Sequence, residues 1–231
     1  MTLIDLLNRF NIIPHNLAYF EEAFTHSSYA NEKKGGVVDY ERIEFVGDGV
    51  LDLIAADLIF LTYPNMKQGD MTKLRSLLVC SASLANYARK YEFGEVIRIG
   101  QGQIKEGGPN QKILEDVFEA FIGATYLDQG FKFTKSLLES ILMDDIKNFD
   151  LEALTDYKSK LQEDLQSNHR GNIKYEVIDE IGLSQDKTFV VEVYMVLEDN
   201  SVLKLGKGSG KSKKQAEENA AKDALSKRAG N

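Results

Sequence analysis

The sequence predicts an all-α N-terminal domain followed by a small α+β domain of order α-β-β-β-α. Three observations predict it. Apolar residues recur at helical spacing from residue 1 to about 147. Beyond residue 155 the period shortens to strict alternation over three short runs. Charge also segregates: residues 1–154 carry 15 basic against 23 acidic side chains, whereas residues 203–231 carry eight against three.

In the first half, Leu3, Ile4, Leu6, Leu7 and Phe10 open one helical stripe, and Leu74, Leu77, Leu78, Leu84, Tyr87 and Ala88 form another. Turn formers break the pattern at Lys33-Lys34-Gly35-Gly36, Tyr63-Pro64-Asn65 and Gly107-Gly108-Pro109-Asn110. The periodicity weakens over 148–154, which reads as a linker between a helical domain at 1–147 and a second domain at 155–231. In that second domain a helix from Asp156 to about Ser167 precedes strands at Ile173–Ile181, Lys187–Glu198 and Ser201–Leu205. Phe189, Val191, Val193 and Met195 hold the period of a half-buried strand, and Asp199-Asn200 suits a hairpin turn. A last helix runs from Ser212 to about Arg228.

With 43% hydrophobic and 28% charged residues and three prolines, the chain is neither fibrous nor largely disordered. The apolar stretch Leu51 to Tyr63 contains Asp52 and Asp57, which argues against a membrane span. The N-terminus shows neither a basic leader nor a sustained apolar run, so no secretory signal is expected. A single cysteine, Cys80, cannot form an internal disulfide and has no Cys or His neighbours for zinc, which fits a reducing cytoplasm. The net charge of −8 speaks against a nucleic-acid partner only if its distribution is ignored.

The most informative stretch is Glu41-Arg42-Ile43-Glu44-Phe45-Val46-Gly47-Asp48-Gly49-Val50-Leu51-Asp52. On a helix, positions 41, 44, 48 and 52 fall within a sector of roughly 80°. The other faces carry Ile43, Phe45, Val46, Val50, Leu51, Leu53 and Ile54, so this helix is expected to be buried on most sides. A second acidic pair, Asp116 and Glu119, interrupts the apolar run from Ile113 to Gly123. Clustered carboxylates in an apolar setting call for a cation, and oxygen ligands without His or Cys point to Mg²⁺ or Mn²⁺. A solvated acidic face is the competing reading, and spacing alone leaves both open.

Glu41 to Gly49 resembles the nine-residue signature of the ribonuclease III family, and Phe24 to Glu32 resembles the stretch that precedes it there. Gly69-Asp70-Met71-Thr72-Lys73-Leu74-Arg75, Gly107-Gly108 and Asp116 to Gly123 follow in the family's order, so the resemblance covers nearly the whole chain. It implies that the helical domain is an endonuclease domain acting on double-stranded RNA with divalent metal ions. It further implies that Glu44, Asp48, Asp116 and Glu119 bind the metal, with Asp48 and Glu119 tied most directly to cleavage and Glu41 an accessory acid near the RNA and the dimer interface. A homodimer would cut one strand at each centre, leaving 5′-phosphate and 3′-hydroxyl ends with short 3′ overhangs. Ribosomal and other structured precursor RNAs would be substrates. Three positions depart from the pattern: Gln68 stands where a glutamate is common, and Lys112 and Glu115 replace smaller residues.

Around the last helix, Ser212 and Gln215 have capping-box spacing, and Lys211, Lys213 and Lys214 crowd the helix N-terminus against the macrodipole. A phosphate would relieve that conflict, although lysine clusters are also commonly just solvated. Residues 155–228 resemble a double-stranded RNA-binding domain. By that resemblance Gln162 and Glu163 would meet ribose hydroxyls and the three lysines would hold phosphates. The loop with Gln185 and Lys187 would reach a second minor groove. His15, His26 and His169 are expected to be structural or at the surface. The alternative reading is a binder that occupies duplex RNA without cutting it, supported only by Gln68.

Overall fold

The structure, a computed structural model, describes residues 1–33, 35–154, 156–167, 172–182, 187–197 and 201–229. The chain divides into two compact units, Met1–Leu154 and Thr155–Asn231.

The first unit is helical: α1 (Leu3–Arg9), α2 (Leu17–Ala23), α3 (Ser27–Glu32), α4 (Glu41–Thr62), α5 (Gln68–Leu78), α6 (Ser81–Lys90), α7 (Gln101–Lys105) and α8 (Gln111–Lys147). The turn formers separate α3 from α4, α4 from α5 and α7 from α8. Local chemistry sets the ends. Thr2 and Asp5 form a reciprocal capping box on α1, and the Asn110 side chain accepts from Ile113 N to start α8. Within α8, Gly130 adopts φ 79°, a positive φ that favours glycine and kinks the helix between two stretches that both contribute buried residues. The stretch expected as a linker folds back on this unit: Leu151–Leu154 form a 3₁₀ turn, Leu154 is buried, and Lys73 Nζ donates to Leu154 O at 2.9 Å.

Helix α8 is the axis of the core. At about 100° per residue, Asp116, Glu119 and Gly123 share one face, and Phe118, Phe121 and Thr125 the opposite one. Phe121 packs against Phe10 and Phe93 with ring centroids 5.0 and 5.1 Å away, and Phe24 stands 5.2 Å from Phe93. This aromatic cluster fills the side of α8 away from its acids.

The other side of α8 meets α4 at two glycines. A Cβ on Gly47 would strike the backbone of Glu119 and Gly123, and one on Gly123 would strike Ile43 O and Gly47 N. Only hydrogen side chains let the two helices approach this closely. Not all apolar residues of α4 turn inward, contrary to the expectation of burial on most sides. Ile43, Leu51, Ile54, Leu58 and Ile59 are buried, but Phe45 is 82% exposed, Leu53 58% and Phe60 64%. Apolar positions spread around the whole circumference of a helix cannot all face one core.

The second unit is α9 (Tyr157–Ser167), β1 (Asn172–Ile181), β2 (Thr188–Val196), β3 (Val202–Gly210) and α10 (Lys213–Ala229). The strands form an antiparallel sheet in the order β1-β2-β3. Val191, Val193 and Met195 of β2 are buried with Leu161 and Leu165 of α9 and Ala216, Ala220, Ala221 and Ala224 of α10.

Strand β3 continues to Gly210, five residues beyond the expected end at Leu205. The run Gly206, Gly208, Gly210 looks like loop by composition, yet it alternates along the strand opposite Val193, Val191 and Phe189. A Cβ at any of the three would strike the backbone of α10. Glycine on the strand and alanine on the helix thus let the two elements pack closely. The expected turn at Asp199-Asn200 lies outside the described residues, as does His169.

Candidate metal centre and nucleic-acid interface

Among the described residues, Asp116 and Glu119 are the charged residues buried as whole residues, 7% and 9% exposed. Each sits on the face of α8 that meets α4, and Glu44 of α4 joins them: one carboxylate oxygen from each of Glu44, Asp116 and Glu119 lies within 4.8 Å of the others. The Gly47–Gly123 approach explains this convergence, because Glu44 precedes Gly47 by three residues and Glu119 precedes Gly123 by four.

The electrostatics are those of crowded acids in a poorly solvated place. Burial, then the charge of Asp116, pushes the Glu44 carboxyl up to about 7. Burial, then the charge of Asp48, pushes Glu119 up to about 8. Tyr40, just before α4, donates its hydroxyl to Asp116 Oδ2 at 3.1 Å, and burial followed by the Asp116 charge raises that phenol. Asp116 Oδ1 is buried without a hydrogen bond of good geometry. Its close partner is the Lys112 ammonium at 2.6 Å, a pairing that also raises the lysine.

A buried acceptor held by one exposed lysine, beside two carboxyls that resist ionisation, is a donor set that fits a hard divalent cation. A stability consequence follows from the same shifts. The folded chain retains protons on Glu44 and Glu119 that the unfolded chain releases above about pH 4.5, so stability conferred below that value is lost as pH rises toward 8. Thermal melts in EDTA are expected to show a falling midpoint between pH 5 and 8. A midpoint flat or rising over that window would contradict the shifts.

The other acids of the signature helix stand apart from this triad. Asp48 is exposed and acts on Glu119 through its charge, and Glu41 is exposed at the start of α4. A fourth carboxylate keeps its hydration rather than crowd three like charges. Asp52 faces Arg75 of α5 at 3.7 Å, so the acidic stripe serves two different neighbours. Gln68 lines a cleft with Leu53, Phe60, Met71 and Arg75, in which none of the three carboxylates takes part.

Tyr40 and Lys112 are the contributors that motif reading missed. Lys112 had a signal, its i, i+4 spacing to Asp116. Tyr40 had none, because 76 residues separate it from the acid it touches. His26 caps α3 by accepting from Ser28 N at 3.1 Å, and the His15 backbone N–H donates to Asp128.

In the second unit Gln162 and Glu163 are exposed on α9, and Lys211, Lys213 and Lys214 are exposed around the start of α10. Gln215 N donates to Ser212 Oγ at 3.2 Å, and the Gln215 amide oxygen accepts from Lys211 N at 2.9 Å. The reciprocal bond therefore closes on Lys211, one residue earlier than a capping box has it. Lys187 pairs with Glu180 at 2.8 Å, while Gln185 lies outside the described residues.

Comparison with known proteins matches both units. Residues 16–146 match the family model described as Ribonuclease-III-like, and residues 157–228 match the double-stranded RNA binding motif. The ribonuclease 3 of Streptococcus gordonii is 43% identical over 224 residues, covering 96% of this chain and 94% of that protein. The ribonuclease 3 of Bacillus cytotoxicus is 45% identical over 208 residues, 89% of this chain and 83% of the relative. Among solved structures, the nuclease domain of ribonuclease III from Campylobacter jejuni aligns with a TM-score of 0.56 and 33% identity over 62% of this chain and 96% of that one.

A helical nuclease domain with an acidic centre, joined to a domain for duplex RNA, defines the class of double-stranded RNA endoribonucleases. The chain belongs to the ribonuclease III family. The reading as a silent binder is not favoured, and Gln68, its one support, stands in a different cleft from the carboxylates.

Proposed function

We propose that Glu44, Asp48, Asp116 and Glu119 hold Mg²⁺, with Mn²⁺ as a substitute, and that the chain hydrolyses duplex RNA in the cytoplasm. The observation that carries this reading is the convergence of Glu44, Asp116 and Glu119 within 4.8 Å from two helices otherwise packed by apolar residues. Bound divalent ions supply an activated water and charge stabilisation for the leaving oxygen. The bond broken joins phosphorus to the 3′ oxygen, so water ends on a 5′-phosphate and a proton on a 3′-hydroxyl.

The protein's own groups prepare that chemistry. Tyr40 orients Asp116, the apolar wall excludes water from Glu119, and the exposed Glu41, whose charge acts on Glu44, would be an accessory acid near the RNA. Incubating purified protein with long duplex RNA, with Mg²⁺ and separately with EDTA, tests the reading. Fragments with short 3′ overhangs in Mg²⁺ alone are expected. Intact duplex under both conditions would defeat it. Structured precursors, ribosomal and messenger, are the natural substrates for an enzyme of this kind.

A duplex has two strands, and a second copy of the chain supplies the second centre. Phe45, Leu53 and Phe60 leave α4 with an exposed apolar face bordering the cleft lined by Met71 and Arg75. The related C. jejuni nuclease domain is described as having a region involved in dimer formation. Phe45→Asp is expected to convert a homodimer to a monomer at micromolar concentration in analytical ultracentrifugation. A variant that sediments like the wild type would move the interface elsewhere.

The second domain reads duplex shape through Gln162, Glu163, Gln185 and Lys187 and holds phosphates through Lys211, Lys213 and Lys214. Lys213→Ala is expected to weaken binding equally across duplex sequences and to lower the salt slope by about 1. A loss confined to some sequences would argue against phosphate contact. Among the described residues no helix is long and apolar enough to cross a membrane.

A further inference from the structure

Two departures from the family pattern, Lys112 and Glu115, lie on one turn of α8 and both touch the same charge problem. The Lys112 ammonium is 2.6 Å from Asp116 Oδ1 and 3.6 Å from Glu115 Oε2. Its side chain is 66% exposed, so the ammonium is free to move, whereas the carboxylates it faces are 10% and 15% exposed and are not. Asp116 Oδ1 has no well-formed hydrogen bond, which makes this ion pair its principal compensation.

We propose that Lys112 is a resident counter-cation that competes with the divalent ion for Asp116, and that Glu115 receives its ammonium when the metal takes that carboxylate. Lys112 thereby sets the metal concentration at which the site fills, keeping it closed to weakly held cations. The exchange keeps the lysine's charge paired: its ammonium passes from Asp116 to an acid on the same turn, and the two positive charges of the ion take its place on Asp116. Because Lys112 is mostly solvated, the competition is modest in size. The proposal rests on the carboxylate triad being the metal site.

The test is Mn²⁺ binding to the full chain without RNA, read by calorimetry and by the paramagnetic resonance signal of free Mn²⁺. Lys112→Met, which keeps the apolar stem, is expected to bind Mn²⁺ roughly three- to tenfold tighter than the wild type. Glu115→Gln is expected to weaken binding in the wild-type background by at least about twofold more than in the Lys112→Met background, since the acceptor matters only while the lysine is present. Equal affinity of wild type and Lys112→Met, or looser binding by the variant, would overturn the exchange while leaving the metal site standing. Equal effects of Glu115→Gln in both backgrounds would remove Glu115 from the exchange. Absence of Mn²⁺ binding in every form would overturn the exchange and the metal site together.

Discussion

Glu119→Gln is expected to reduce cleavage of duplex RNA by about 10³-fold or more while duplex affinity stays within about threefold of the wild type. The amide fills the same volume as the acid but carries no charge, so the loss is that of one anionic ligand in a site worth several kcal/mol to the transition state. RNA affinity is expected to rest instead on the second domain, which matches the double-stranded RNA binding motif and contains neither acidic helix. Single-turnover cleavage with excess enzyme, paired with binding in Ca²⁺ or EDTA, separates the two quantities. Parallel loss of cleavage and binding would show that Glu119 supports the fold or the RNA surface rather than the chemistry. In EDTA the same variant is expected to be at least as stable as the wild type at pH 8. It removes a carboxyl whose ionisation burial opposes, as shown by its rise to about 8.

Gly123→Ala is expected to destabilise the helical unit far more than a methyl group added at a glycine in open space. The new Cβ would enter the space held by Ile43 O and Gly47 N, main-chain atoms that cannot rotate away. The helices must separate, which costs about 3 kcal/mol or more and lowers the melting temperature by several degrees. Separation also spreads Glu44 from Glu119, so any folded variant is expected to need more Mg²⁺ for cleavage. Gly49→Ala is the control, since its Cβ would meet nothing within 4 Å. If Gly123→Ala and Gly49→Ala melt together, the close approach does not hold the helices as described.

Local pattern carried much of this protein into view. Helical periodicity with turn clusters located α4, α5 and α8, and the alternation of Val191, Val193 and Met195 located the central strand, because these signals depend on neighbours a few residues away. The acids of α4 and α8 were legible for the same reason: Glu44 with Asp48, and Asp116 with Glu119, are spaced by about one helical turn. The end of β3 was placed at Leu205, short of its three glycines, because composition alone does not tell a flexible residue from one that lets a helix approach. The exposure of Phe45 and Leu53 was not legible because an apolar residue on an open helix face has the same character in the sequence as one in the core.

By itself the sequence determined the two-domain order, the helical and strand periods, the identity of the acids and the basic end of the chain, all properties of residues close in number. Tertiary structure alone decided that Asp116 and Glu119 are buried, that Tyr40 and Lys112 share Asp116 between them, and that Asp48 stays in solvent beside the triad. The physical reason is that burial and charge coupling depend on the crossing of α4 and α8, which two glycines separated by 76 positions permit and no local pattern encodes.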